Sequence, residues 1–243
     1  MRIAVVGATG LVGRHVVKYL RDGGIDTVEV SRKNGVDVTT GEGLDAALEG
    51  VERIVDVTNA GTTEETPATE FFAVSAQRLQ RAGARAGAKR IVLLSIVGID
   101  GLTHGYWAAK RKQERTAKAG SVPVSILRST PFHEFAGQVL AWGRDGEVTR
   151  VPEMPVQPVA VEVAAAELAA FAASRNGMPA LVEVAGPRRL AARHPEHLSV
   201  EGIRDASPDG PAIAAGALLP GPAAKRLGPT FQQWLDAGEH VPA

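Results

Sequence analysis

Residues 2–13 read R-I-A-V-V-G-A-T-G-L-V-G. The apolar run from Ile3 to Val6 reaches Gly7 with no polar interruption, the pattern of a buried strand in a parallel sheet. Gly7 permits a sharp turn out of that strand, and Gly10 lets backbone approach a bound group. Gly13 lets the following helix pack tightly on the sheet. Behind the glycines, Val12, Val16, Val17 and Leu20 form a helical stripe. Strand, turn and helix in immediate succession leave free N–H groups at the helix start, and these attract phosphate. The spacing therefore predicts a site for the pyrophosphate of a dinucleotide.

The rest of the chain continues the same alternation. Strands are predicted at 27–31, 36–40, 53–57, 89–95, 122–127, 157–161 and 181–185. Helices are predicted at 66–86, 107–118, 163–174 and 230–235, with a short one around 44–48 and another at 191–198. Thr230 is the expected N-cap of the short terminal helix at 230–235. Residues 207–222, rich in Pro, Gly and Ala, read as a flap or loose arm. The βα alternation argues for a doubly wound parallel sheet of the Rossmann type. With 243 residues, 44% of them hydrophobic, the chain has material for one sizeable core and a small second lobe. We expect a single domain: a Rossmann core from residues 1–130 and 157–186, and a substrate lobe from 131–156 and 187–243.

Composition excludes several function classes. Lys plus Arg and Asp plus Glu are both 27, so no global field recruits nucleic acid or an anionic membrane. With no cysteine, disulfides, thiolate catalysis and thiolate-bound metals are ruled out. His194 and His197 flank Pro195 and Glu196, an arrangement unsuited to a ligand-bearing helix, so no metal is expected. No apolar run is long enough for a bilayer span, and no secretory leader is visible, so a cytoplasmic protein with a small-molecule substrate is expected. Oligomeric state is left open.

Chemistry concentrates at the predicted strand ends. Ser31, Arg32 and Lys33 follow the second strand, where a dinucleotide's adenosine ribose lies. A guanidinium and an ammonium suit a 2′-phosphate, so NADP(H) is the expected cofactor and NAD(H) the alternative. Thr58, Asn59, Ala60 and Gly61 end the fourth predicted strand with small residues that let a cofactor lie close. After the fifth comes Y-W-A-A-K, which places Tyr106 and Lys110 one helical turn apart on one face. A phenol can exchange a proton with a substrate oxygen, and a neighbouring ammonium would favour its phenolate. Ser95 is the nearest hydroxyl for a catalytic trio. The alternative is that Tyr106 anchors the helix and Lys110 faces solvent. His104, His133 and Phe135 are candidate pocket residues, each with a packing role as its alternative. Phe132 and Trp142 read as packing residues, and Asp100 is a further polar candidate.

The ordered set of motifs resembles the short-chain dehydrogenase/reductase superfamily, and more closely its atypical, NmrA-like branch. It comprises G-A-T-G-L-V-G, T-G-E-G-L, L-S-I-V-G-I-D, Y-W-A-A-K, I-L-R-S-T-P-F-H-E-F, V-E-V-A-G-P and L-G-P-T-F-Q-Q-W-L. The resemblance implies a pyrophosphate held by Gly7, Thr9, Gly10, Leu11, Val12 and Gly13. It also implies Arg32 near the 2′-phosphate, Thr58 to Gly61 beside the adenosine, and Thr130 to Phe132 beside the nicotinamide. Lys110 would double as a cofactor contact. Tyr106 and Lys110 match the superfamily's Tyr-x-x-x-Lys. That match implies an NADPH-dependent oxidoreductase acting on a small carbonyl, quinone or related electrophile. The alternative is a non-catalytic NADP(H)-binding sensor, the role of many relatives that lack the tyrosine. One departure stands out. The superfamily's serine usually takes the second place of a Ser-Ser pair, where this chain has Ile96. Neighbouring strand residues face opposite ways, so Ser95 is predicted to point away unless the strand has already turned. The usual asparagine of the preceding helix is also missing, with Ser75 nearby.

Overall fold

A computed structural model describes residues 1–190 and 199–238. In chain order its elements are β1 (Arg2–Val6), α1 (Leu11–Asp22), β2 (Asp26–Val30), α2 (Leu44–Ala47), β3 (Arg53–Asp56) and α3 (Glu65–Arg85). Next come β4 (Arg90–Ile96), α4 (Gly105–Lys118), β5 (Val124–Ser129), α5 (Phe135–Trp142), β6 (Arg144–Asp145) and β7 (Val148–Pro152). The remainder is α6 (Val161–Ala173), β8 (Leu181–Ala185), β9 (Ser199–Ile203), α7 (Gly210–Ala214), β10 (Lys225–Arg226) and α8 (Phe231–Asp236).

Seven strands form one sheet in the order β10-β8-β5-β4-β3-β1-β2, with every pairing parallel. Alternation along each strand divides the core between two layers. Ile3, Val5, Val55, Val92, Leu127 and Val184 face α1 and α6, where Val16, Val17, Leu20, Ala165 and Leu168 close the packing. Ala4, Val6, Ile54 and Ile91 face the other way, against Leu44 and Leu48 near α2 and Leu79 and Ala82 of α3. Leu93 and Ile126 do the same against Ala76 and Ala117. The alanine run of α6 brings that helix close to the sheet. Strand order reverses between β1 and β3, which makes the carboxyl ends of those strands the crevice in which such sheets bind ligands.

A second, three-stranded sheet, β6-β7-β9, stands apart from the first. The doubly wound architecture is thus as expected, with four local differences. Residues 36–40 are not a strand. Asp37 Oδ1 accepts from the Thr39 amide at 2.7 Å and its hydroxyl at 2.6 Å, a local turn that competes with any ladder. Residues 157–161 contribute a single bridge, Phe132 to Val159, before α6 begins. The 207–222 stretch is no loose arm: it contains α7, and its Ile213 and Leu218 are buried with Ile99 and Leu102. Lys225 and Arg226 leave the expected lobe to pair with β8 at the edge of the main sheet. The helix expected at 191–198 lies outside the described residues.

Candidate functional site

The β1–α1 turn has the shape of a phosphate cradle. Gly7 sits at φ +87°, and its N–H donates to the Val30 carbonyl at 2.9 Å, tying the turn to β2. A Cβ on Gly13 would lie 2.1 Å from the Gly7 carbonyl oxygen and 2.8 Å from Ala8 Cα. Only glycine lets α1 approach this closely. Gly10 caps α1 without a side-chain hydrogen bond, and the first turn holds no acidic residue. The leading N–H groups are therefore left to an anion. Thr9 and Gly10 are exposed, while Leu11 and Val12 are half-buried.

The flanks of the cradle carry the other expected cofactor residues. Ser31 is buried at the exit of β2, and its hydroxyl has no partner among the described residues. Arg32 and Lys33 follow in an exposed 3-10 turn, Arg32–Asn34. Thr130 lies at the exit of β5. Its N–H donates to Val184, and its buried hydroxyl is also without a partner among the described residues. Phe132 packs on the α1/α6 side of the core. Glycine cradle, uncapped helix and basic turn suit the phosphates of a dinucleotide.

Tyr106 lies in the first turn of α4, its ring edge-on to Phe72 at 5.7 Å and to Trp107 at 6.1 Å. Its hydroxyl donates to Asn59 Oδ1 at 3.0 Å. Burial pushes the phenol up to about 12. That reverses the expectation of a phenol activated by Lys110. The Lys110 ammonium is buried. It donates to the Leu94 carbonyl at 3.0 Å and to Gln113 Oε1, and it lies 4.6 Å from the centre of the Phe72 ring. Burial lowers it to about 8, with Asp56 and Glu114 opposing the shift. Gln113 passes the contact on, its Nε2 donating to Asp56 Oδ2 at 3.0 Å. Asp56 Oδ1 accepts from the Thr58 amide at 3.0 Å and hydroxyl at 2.7 Å. Burial raises the Asp56 carboxyl against these hydrogen bonds. Lys110, Gln113 and Asp56 thus form a buried frame that joins α4 to the end of β3.

The other expected site residues have the following surroundings. Ser95 is buried on the same face of β4 as Leu93, toward α3 and α4, and its hydroxyl lacks a partner among the described residues. β4 runs on through Ile96, so the strand has not turned at Ser95. His133 is 0% exposed. Its ring lies against the stacked pair Phe231 and Trp234, centroids at 5.3 and 5.4 Å, and its Nε2 is 3.3 Å from the Pro229 carbonyl. Helix α8 folds over it, fixed by Thr230 and Gln233 in a reciprocal cap. His104 precedes α4, and Asp209 Oδ2 accepts its amide at 2.7 Å and that of Thr103 at 2.6 Å. His104 therefore helps dock α7. Phe135 is half-buried against Trp142, and Trp142, expected in the packing, is 63% exposed. Ser75 is buried, its hydroxyl donating to Phe72 O at 3.3 Å.

Sequence reasoning missed Asn59 as the phenol's partner and missed Arg128 altogether. Arg128 is buried on β5 and binds Glu114 of α4 and Asp100 together. Among the described residues no cluster of His, Cys, Asp and Glu could hold a metal ion, and no helix is long and apolar enough to cross a membrane.

Residues 3–120 match the model of the NAD dependent epimerase/dehydratase family. A ceramide reductase from Caulobacter vibrioides is 30% identical over 211 residues, 77% of this chain and 65% of that protein. A (4-alkanoyl-5-oxo-2,5-dihydrofuran-3-yl)methyl phosphate reductase from Streptomyces griseus subsp. griseus is 29% identical over 213 residues, 79% of this chain and 70% of that protein. The chain thus spans about two thirds of the length of these relatives. The NADPH-dependent quinone oxidoreductase QOR2 from Escherichia coli, solved with NADPH, shares the fold. Its TM-score is 0.71 at 17% identity, covering 98% of this chain and all of that one. In its parallel sheet, its glycine cradle and the family match over residues 3–120, the chain is similar to NAD(P)-binding proteins of the short-chain dehydrogenase/reductase type.

Proposed function

We propose that the protein is an NADPH-dependent oxidoreductase that reduces a small carbonyl, quinone or related electrophile. The observation that carries this reading is the position of the Tyr106 phenol, hydrogen-bonded to Asn59 at the end of the sheet that also holds the glycine cradle. A phenol held neutral at physiological pH is an acid, which suits reduction, where the substrate oxygen must gain a proton. The two reductase relatives support the same direction of chemistry.

In this reading Gly7, Thr9, Gly10, Leu11, Val12 and Gly13 hold the pyrophosphate. Ser31, Arg32 and Lys33 receive the 2′-phosphate; Thr58, Asn59 and Ala60 border the cofactor on one side, and Thr130 and Phe132 on the other. The bound nicotinamide supplies the hydride. Tyr106 gives its proton to the substrate oxygen as the O–H bond breaks. Lys110 acts as a positioning residue, fixing α4 through Gln113 and Asp56. Ile96, in place of a catalytic hydroxyl, favours a second reading, an NADP(H)-binding sensor without turnover.

NADPH consumption measured across quinones and carbonyls separates the two. Tyr106→Phe should lower turnover by about 100-fold or more with NADPH affinity unchanged. Wild-type binding of NADPH without turnover of any substrate would favour the sensor. Full turnover in Tyr106→Phe would remove the phenol as the acid.

A further inference from the structure

We propose that Asn59 is the positioning partner of the Tyr106 phenol, its side-chain carbonyl holding the phenol's proton until a substrate oxygen takes its place. The inference rests on the reading of Tyr106 as the acid. A phenol has one proton to donate, and here that proton is directed at Asn59 Oδ1 at 3.0 Å. The hydroxyl of Ser95, the expected partner, makes no hydrogen bond to the phenol or to any other described residue, and the next residue, Ile96, carries no polar atom in its side chain. Asn59 is therefore the side chain that does what that hydroxyl was expected to do, reached from β3 rather than β4.

The fold holds this pair at a fixed spacing. Asn59 directly follows Thr58, whose amide and hydroxyl are both bound to Asp56 Oδ1. The other Asp56 oxygen takes Gln113 Nε2 at 3.0 Å, and Gln113 shares α4 with Tyr106. The exit of β3 and helix α4 are thus joined twice, once by the buried amide and once by the phenol. The ring of Tyr106 is flanked by Phe72 and Trp107. The charged and titratable groups around the start of α4 have other partners. Glu65 of α3 accepts the Gly105 amide at 2.7 Å, and Asp209 accepts those of Thr103 and His104. The His104 ring lies against the Thr103 hydroxyl, and Lys110 is bound to Leu94 and Gln113. Asn59 can therefore set how firmly the proton is held without adding a charge.

The chain has two tyrosines, Tyr19 and Tyr106, so a 13C label on the phenolic carbon gives two resonances, and Tyr106→Phe assigns them. Asn59→Ala and Asn59→Asp are compared with wild type in this spectrum and in steady-state turnover of NADPH with the best substrate of the panel. Both variants should shift only the Tyr106 resonance, and kcat is read at saturating NADPH, so that a weaker cofactor contact at Asn59 does not enter the comparison. Asn59→Ala should lower kcat by about tenfold, the worth of one hydrogen bond. Asn59→Asp should lower it further at neutral pH, because a carboxylate holds the phenol's proton more strongly. That loss should reverse as acid neutralises the new carboxylate and restores an uncharged carbonyl like that of asparagine. A purely structural role would not give this pH signature. Wild-type turnover together with an unmoved Tyr106 resonance or an unchanged kcat in both variants would overturn the proposal. Wild-type protein that binds NADPH and turns over nothing would overturn the oxidoreductase reading and this proposal with it.

Discussion

Arg128 and Glu114 meet inside the protein as a two-pronged pair, Nε to Oε1 and Nη2 to Oε2, both at 2.9 Å. Each side chain is 5% exposed. The pair fixes α4, the helix that carries Tyr106, to β5. Asp100 takes the outer edge of the same guanidinium but is 77% exposed and adds little. Arg128→Met leaves the buried Glu114 carboxylate with the half-exposed Lys118 ammonium at 3.9 Å as its remaining ion pair and should cost about 3 kcal/mol. The double variant Arg128→Met/Glu114→Leu should recover much of that loss. Urea denaturation of the three proteins measures both effects.

The α1 cradle makes a sharper demand. Gly13→Ala puts a methyl group 2.1 Å from a backbone oxygen that no rotamer can relieve. The helix must withdraw from β1, at a cost of about 1–3 kcal/mol. Because that movement also displaces the leading N–H groups, NADPH affinity should fall more than the melting temperature alone would suggest. Fluorescence titration with NADPH and a thermal melt on the same sample test this.

Cofactor choice should lie in the basic turn after β2. Arg32→Ala should weaken NADPH binding by about tenfold or more, the value of one charge-assisted hydrogen bond, and leave NADH unchanged. Titration of both coenzymes reads this directly. Equal losses for the two would place Arg32 on a part they share.

His133 predicts an acid-side weakness. Burial against Phe231 and Trp234 holds its imidazole below the ordinary 6.5. The unfolded chain takes up a proton near 6.5 that the folded chain refuses, so stability should fall as pH drops through that value. Above it both states are neutral, and His133 contributes no slope. His133→Phe should flatten the acid limb of a stability–pH curve measured by denaturant unfolding. The contribution of His133 would be refuted if the limb kept its slope.

The parts of the fold legible in the sequence are those whose signal is local. The β1–α1 turn, the apolar run of β4, β8 and the capped α8 each announce themselves within a dozen residues. At 36–40 the same local reading misled, because apolar residues alternate there while Asp37 spends its carboxylate on its own loop. The site was only half visible. Glycines, the basic turn and the Tyr–Lys spacing stand in short motifs. By contrast, Tyr106 meets Asn59 from 47 positions away, Gln113 meets Asp56 across 57, and His133 reaches Pro229 across 96. No periodicity encodes such meetings; they appear only when strand order is known. Lys110 shows the limit most plainly. Spacing put it on the face of Tyr106, whereas its environment turned the ammonium toward a strand carbonyl.

The two-residue strand β10 has a bearing on how this protein can be cut and recombined. Lys225 and Arg226 cover Val184 and Ala185, and Lys225 is paired with Glu167 at 2.7 Å. A fragment ending after β8 would present those carbonyls and amides bare, as a template on which another chain could add. A chimera that grafts a foreign substrate-binding segment onto this scaffold must therefore return to the native sequence before Lys225, so that the last seam of the sheet closes on itself.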